Sequence, residues 1–216
     1  MSMRLSALAA VLLMPALCAA QEGANHVPLQ TDTSASGWAF AATGYYYALD
    51  DQDNYFSAIA TADRDALHLE ARYNYEAIDS ASLFAGWTFA GGDSVSWEIT
   101  PIIGAVMGSK HGIAPGLEAS AAYGMVDFYI EAEYVGDLDV RDDSFTYAWS
   151  ELGFTPLTWL RFGLVGQRSR VYESDRDIQR GGFAQLTAGR FTLGAYVFNP
   201  DDSADRFAIV SLGASF

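Results

Sequence analysis

LHLEARYNYEA, residues 67 to 77, alternates side chains that suit oil with side chains that suit water. Leu67, Leu69, Ala71, Tyr73 and Tyr75 fall on one parity, and His68, Glu70, Arg72, Asn74 and Glu76 fall on the other. Successive side chains of an extended chain point to opposite faces, so this period of two predicts a strand with one apolar and one polar face. Two arrangements accommodate such a strand. Packed on a second sheet, its apolar face becomes the dry centre of a sandwich. Closed into a ring in lipid, its apolar face becomes the outer wall and its charges line the interior.

The pattern recurs along the chain. In VDFYIEAEYV, Val126, Phe128, Ile130, Ala132 and Tyr134 oppose Asp127, Tyr129, Glu131 and Glu133; in LRFGLVGQR, Leu160, Phe162 and Leu164 oppose Arg161 and Gln167. Strands are predicted at 37–49, 54–63, 66–77, 80–90, 94–107, 112–123, 125–135, 144–155, 158–168, 178–189, 190–199 and 206–216. That is about twelve segments, most near the roughly 9 to 11 residues that cross a bilayer as tilted strands. Their connectors alternate in character. DRD at 63, AGGD at 90, YGM at 123, TPLT at 155 and AGR at 188 are tight, whereas DDQD at 50, GSKHG at 108, GDLDVRDDS at 136, SRVYESDRD at 169 and NPDDSAD at 199 are mostly longer and more charged. Short turns on one rim and long polar loops on the other, with an even strand number, put both termini on the short-turn side.

The first twenty residues, MSMRLSALAAVLLMPALCAA, read as a secretory signal peptide: Arg4, a short apolar run from Leu5 to Leu17, then small residues before Gln21. Residues 21–36 read as an irregular periplasmic leader and 37–216 as a single barrel domain. Cys18 is the only cysteine, so beyond residue 20 disulfides, thiol catalysis and cysteine metal sites are excluded. Residues 1–20 hold Arg4 and no acid, so their removal takes the net charge from −15 to −16, with 11 basic against 27 acidic side chains. A chain this acidic, without a basic stripe, repels nucleic acid. Beyond the signal no apolar run approaches the roughly 20 residues of a spanning helix, so any membrane crossing is made by strands.

The last segment, RFAIVSLGASF, ends on Phe216 with Ala214, Leu212, Val210 and Ala208 at two-residue steps before it. It resembles the C-terminal signature of bacterial outer-membrane β-barrel proteins, with Ala214 smaller than that signature usually carries. The resemblance implies a closed antiparallel transmembrane β-barrel of the Gram-negative outer membrane, porin-like in kind. It also implies two partners, outer-membrane lipid and the barrel-assembly machinery that reads the strand ending at Phe216. The competing architecture is a soluble β-sandwich that happens to end in phenylalanine. An aromatic girdle favours the barrel: Trp38, Tyr55, Tyr73, Tyr75, Trp87, Trp97, Tyr134 and Tyr147 fall toward strand ends, where amphipathic rings suit the headgroup level. Pro101 and Pro115 sit inside segments with no free edge to tolerate them; they read as bulges, or Pro115 as part of a longer loop. In FTYAWSELGF, turning Glu151 inward turns Trp149 and Tyr147 inward too, and charge in hydrocarbon is the costlier error, so Glu151 is placed inside.

Aligned by distance from the short turns, Glu70, Arg72, Glu98, Glu118, Glu131, Glu151 and Arg161 gather near mid-height as pore-lining residues. Two guanidiniums satisfy only a few of five carboxylates, and the remaining acids imply water in the bore. Carboxylates along a hydrated constriction concentrate cations and repel anions, so a narrow passive channel for small polar or cationic solutes is one reading. A non-conducting structural or surface-interaction barrel, its lumen filled by the same network, is the other. Phe84, Tyr129, Trp149, Trp159, Tyr196 and Phe198 are also expected to point inward, as a stacking surface or as packing.

A lipid-modifying enzyme is a third possibility, but it needs a nucleophile and base on the lipid-exposed surface. His26 lies in the leader, His111 in a loop, and His68 faces the lumen beside Glu70, where a hydrated, carboxylate-paired histidine is expected. Neither G-x-S-x-G nor H-E-x-x-H occurs, so no enzyme is expected. The loop acids Asp50, Asp51 and Asp53, Asp137, Asp139, Asp142 and Asp143, and Asp201, Asp202 and Asp205 match no calcium-loop spacing and read as solvated turns. No cofactor or metal is assigned.

Overall fold

The computed structural model describes residues 37–49, 53–171, 177–203 and 205–216. The signal peptide, the leader, Asp50 and Asp51 lie outside these residues. In chain order the strands are β1 (Ala39–Leu49), β2 (Tyr55–Arg64), β3 (Leu67–Tyr73), β4 (Ser80–Trp87), β5 (Phe89–Gly91), β6 (Ser96–Gly108), β7 (Gly112–Tyr123), β8 (Val126–Asp137), β9 (Phe145–Leu157), β10 (Leu160–Val171), β11 (Asp177–Ala188), β12 (Phe191–Phe198) and β13 (Phe207–Ser215). Each pairs antiparallel with its neighbour in sequence except β4 with β5, which both pair with β6, and β1 pairs with β13 from Ala41↔Ser215 to Leu49↔Phe207. β4 and β5 share β6 in one unshifted register and form a single arm of the barrel. The sheet is therefore a closed ring of twelve arms, the architecture the alternation and connectors imply. At the seam Phe216 donates its N–H to Phe40 O at 2.8 Å, and Phe40 returns the bond at 3.1 Å.

Closure fixes which face is wet. Leu83, Leu164 and Leu212 are 60%, 64% and 59% exposed on the outer wall, whereas Glu70, Arg72, Glu131 and Glu151 are buried inside. That inverts the sandwich arrangement: contiguous apolar surface of this extent is suited to acyl chains and not to water. Among the strand residues whose side chains are described, the charged side chains on the outer wall are Arg64, Arg168 and Arg180. Trp38, Tyr73, Trp87, Trp97 and Tyr134 lie outside as the girdle requires.

Several facings differ from the sequence reading. Asn74 adopts φ 52°, which ends β3 at Tyr73 and resets the parity, so Tyr75 and Glu76 both turn inward and are buried. Tyr55 likewise lies inside, as does Tyr147, which the placement of Glu151 already turns inward, so neither is a girdle residue; tyrosine suits a polar interior as well as a headgroup layer. Trp159, expected inside, sits in the β9–β10 turn and is exposed.

The prolines are not bulges. Pro101 faces outward in β6, in unshifted register with Leu117, and Pro115 belongs to β7 and not to a loop. Each instead leaves a gap in the ladder without a slip. Pairing with β6 lapses at Trp87 and Thr88, between β4 and β5, and pairing with β8 skips Ala114 and Pro115. A missing amide removes hydrogen bonds without inserting a residue. The true register shift lies between Leu160 and Phe162, where β9 carries an extra residue beside Pro156.

Candidate functional site

The alternation of β3 delivers His68, Glu70 and Arg72 to the interior at consecutive inward positions. β7 contributes Glu118, and its register places Glu131 of β8 directly opposite. Like charges so paired repel. Arg72 resolves the conflict from the other side of the bore: its Nε donates to Glu70 Oε2 at 2.5 Å, and its Nη1 to Glu131 Oε1 at 2.9 Å and Glu133 Oε2 at 3.3 Å. Glu118 Oε1 lies 3.6 Å from Nη2 and Glu76 Oε1 3.8 Å from Nη1. Tyr75 donates its hydroxyl to Glu131 Oε1 at 2.6 Å, and Ser82 donates to Glu76 Oε1 at 2.6 Å. The guanidinium also stacks between the rings of Tyr75 and Phe84, 4.3 and 4.1 Å from their centroids. Five carboxylates thus surround one guanidinium whose side chain is 0% exposed.

A second cluster forms on Arg161 of β10. Its Nε donates to both oxygens of Asp127, its Nη2 pairs with Asp127 as well, and its Nη1 donates to Glu151 Oε2 at 2.6 Å and Gln185 Oε1 at 3.1 Å. Gly153 makes room for this pairing: a Cβ there would lie 2.6 Å from Arg161 Nε and from Asp127. Glu151 also accepts from Trp149 Nε1 at 3.2 Å, which explains why the two share a face.

His68 joins the Arg72 cluster to the short-turn end. Its Nδ1 contacts Asp63 Oδ1 at 2.6 Å and its Nε2 contacts Glu70 Oε1 at 2.9 Å, so it is carboxylate-paired as expected, though buried. On that side Asp63 and Asp127 are partly accessible. Toward the long loops the interior is aromatic. Tyr47 stacks on Tyr55 at 4.4 Å, Phe198 on Phe207 at 4.7 Å, and Trp149 meets Tyr196 and Phe198 edge-on.

Of the seven pore-lining residues expected from sequence, the structure brings Glu70, Arg72, Glu118 and Glu131 into one network and Glu151 and Arg161 into another. Glu98 is half-buried on β6, in register with Ala90 and Ser120. The expected set omits Glu76, Glu133, Asp63 and Asp127. Alternation alone already turns Glu76, Glu133 and Asp127 inward; the turn at Asn74 adds Tyr75 beside them. Phe84, Tyr129, Trp149, Tyr196 and Phe198 are buried inside as expected.

A scan against protein-family models and a search of curated proteins return no match. Solved structures do match. The KdgM porin superposes with a TM-score of 0.62 at 14% identity, covering 82% of this chain and 99% of its own. The same porin in complex with disordered oligogalacturonate gives 0.59 at 13% identity, with 82% and 99% coverage. The NanC porin gives 0.58 at 13% identity, with 82% and 98% coverage. The chain has the closed-barrel fold of these porins.

Proposed function

We propose that this protein is a narrow passive channel of the bacterial outer membrane, favouring small polar or cationic solutes. The carrying observation is the excess of acid over base in the bore: five carboxylates face Arg72, and Asp127 and Glu151 face Arg161. The field of such a lining draws cations and repels anions. Oligogalacturonate, bound by one of the similar porins, is a chain of uronic acids, and this lining disfavours an acidic saccharide. Lipid around the apolar wall, and assembly machinery acting on β13 and Phe216, are the partners this reading requires.

A second reading is favoured by the packing. Trp149, Tyr47, Phe198 and Glu131 are fully buried within the barrel, as in a lumen filled to hold strands in register. Planar-bilayer recording of the refolded protein separates the two. The channel gives discrete conductance steps with cation preference, weakened by Glu98→Gln. Absence of steps at any voltage overturns the channel and leaves the structural barrel.

A further inference from the structure

One nitrogen and two carboxylates converge inside the barrel. His68 Nε2 lies 2.9 Å from Glu70 Oε1 and 3.9 Å from Glu118 Oε2, and one ligand atom from each of the three residues lies within 4.8 Å of the others. Tetrahedral zinc, with bonds of about 2.0 to 2.2 Å, sets its ligand atoms roughly 3.3 to 3.6 Å apart, so small side-chain adjustments close this set around an ion.

What surrounds the three atoms argues for a metal more strongly than their spacing. Asp63 holds the other ring nitrogen, His68 Nδ1, at 2.6 Å, the carboxylate–histidine arrangement that fixes tautomer and raises the basicity of the nitrogen facing the metal. Arg72 engages the other oxygen of each carboxylate, Glu70 Oε2 at 2.5 Å and Glu118 Oε1 at 3.6 Å, which leaves Glu70 Oε1 and Glu118 Oε2 turned toward His68. The guanidinium stands behind the donors, its charge met by Glu76, Glu131 and Glu133. Buried carboxylates in such excess over Arg72 are balanced either by protons or by a bound cation. Glu118 and His68 keep 11% and 9% side-chain exposure beside the partly open Asp63, a path for a hydrated ion from the short-turn end.

We propose that His68, Glu70 and Glu118 form a binding site for a divalent transition-metal ion of the zinc type, clipping β3 to β7 across the bore. An imidazole nitrogen with two carboxylates suits zinc and its first-row neighbours better than calcium or magnesium, which take oxygen ligands. A fourth position is left for water. The competing occupant of the same gap is a proton, with His68 as an imidazolium that donates from Nε2 to Glu70.

The test uses the mature chain, without a histidine tag, refolded in detergent, stripped with chelator and titrated with zinc chloride by calorimetry. A single saturable site is expected, lost in His68→Ala, weakened in Glu118→Gln, and weakened about 10- to 100-fold in Asp63→Asn, which touches only the orienting contact. His111→Ala removes the exposed His111–Asp139 pair and is expected to leave binding unchanged. Should His68→Ala fail to fold, cobalt titration of the unaltered protein decides: paramagnetic shifts belong to the His68 ring and not to His26 or His111. No saturable binding, or binding that follows His26 or His111, overturns the site in favour of the proton.

Discussion

Arg72 Nη1 donates to Glu131 Oε1 at 2.9 Å, a contact between β3 and β8, which are separated around the barrel wall by β4, β6 and β7. It braces the ring across its bore. Removing one partner of a buried charge network costs more than the network itself contributes, because the stranded charges remain. Arg72→Met is therefore expected to destabilise the barrel by about 3 to 5 kcal/mol, and Glu131→Gln by only about 1 kcal/mol. Denaturant unfolding of the refolded protein measures both. An Arg72→Met barrel as stable as the parent removes the brace from the account.

Phe84 owes its place to Gly104. A Cβ at Gly104 would lie 2.5 Å from Phe84 Cδ1, and the Phe84 ring carries the Arg72 guanidinium 4.1 Å from its centroid. Gly104→Ala is expected to cost about 1 to 3 kcal/mol through overpacking. Adding Phe84→Leu should recover part of that loss, a non-additivity that a double-mutant cycle reads directly. Two independent, additive losses would mean that the ring and the glycine do not share one space.

The fold was legible because lipid enforces period two without exception along most arms. β8 and β10 follow their sequence parity from end to end, since a single slip would put Glu131 or Arg161 into hydrocarbon. Legibility failed where no such penalty acts. Tyrosine is acceptable in either environment, so Tyr55, Tyr75 and Tyr147 could not be assigned from type alone. Asn74 tolerates a left-handed backbone, and that one residue decides the facing of Tyr75. The network was half legible for a similar reason. Parity shows which acids point inward, but the reach of Arg72 from β3 to Glu131 and Glu133 depends on closure, which no local pattern encodes.

Pro101 interrupts the β4–β5 arm at Trp87 and Thr88 while register is held on either side. Thr88 is kept in place by its N–H to Ala66 O at 2.8 Å and by a 2.9 Å contact between its hydroxyl and that of Thr100. Pro101→Ala supplies an amide on a backbone already extended. The expected gain is about 0.5 to 1.5 kcal/mol, with the arm running unbroken from Ser80 to Gly91. Amide exchange answers this residue by residue: if the amide introduced by Pro101→Ala exchanges as fast as a loop amide, the gap has another cause.

The orientation of the wall is open to the most direct challenge. Leu83 points outward in β4, flanked by Ala71 on β3 and Ala105 on β6. An arginine at the hydrocarbon midplane costs about 2 to 4 kcal/mol, falling to roughly 0 to 1 near the interfaces. The outward arginines of the described strands follow that rule. Arg64 ends β2 over the Trp38 ring, Arg168 sits three residues from the long-loop end of β10, and Arg180 pairs with Asp201 at 2.6 Å. Leu83→Arg is accordingly expected to cost about 2 to 4 kcal/mol in vesicles, while Arg168→Leu shifts stability by less than about 1 kcal/mol. In detergent micelles, which deform around a charge, the Leu83→Arg penalty should shrink. Equal and negligible costs at both positions in a bilayer would mean that Leu83 does not face lipid, and the inside-out assignment would fall with it.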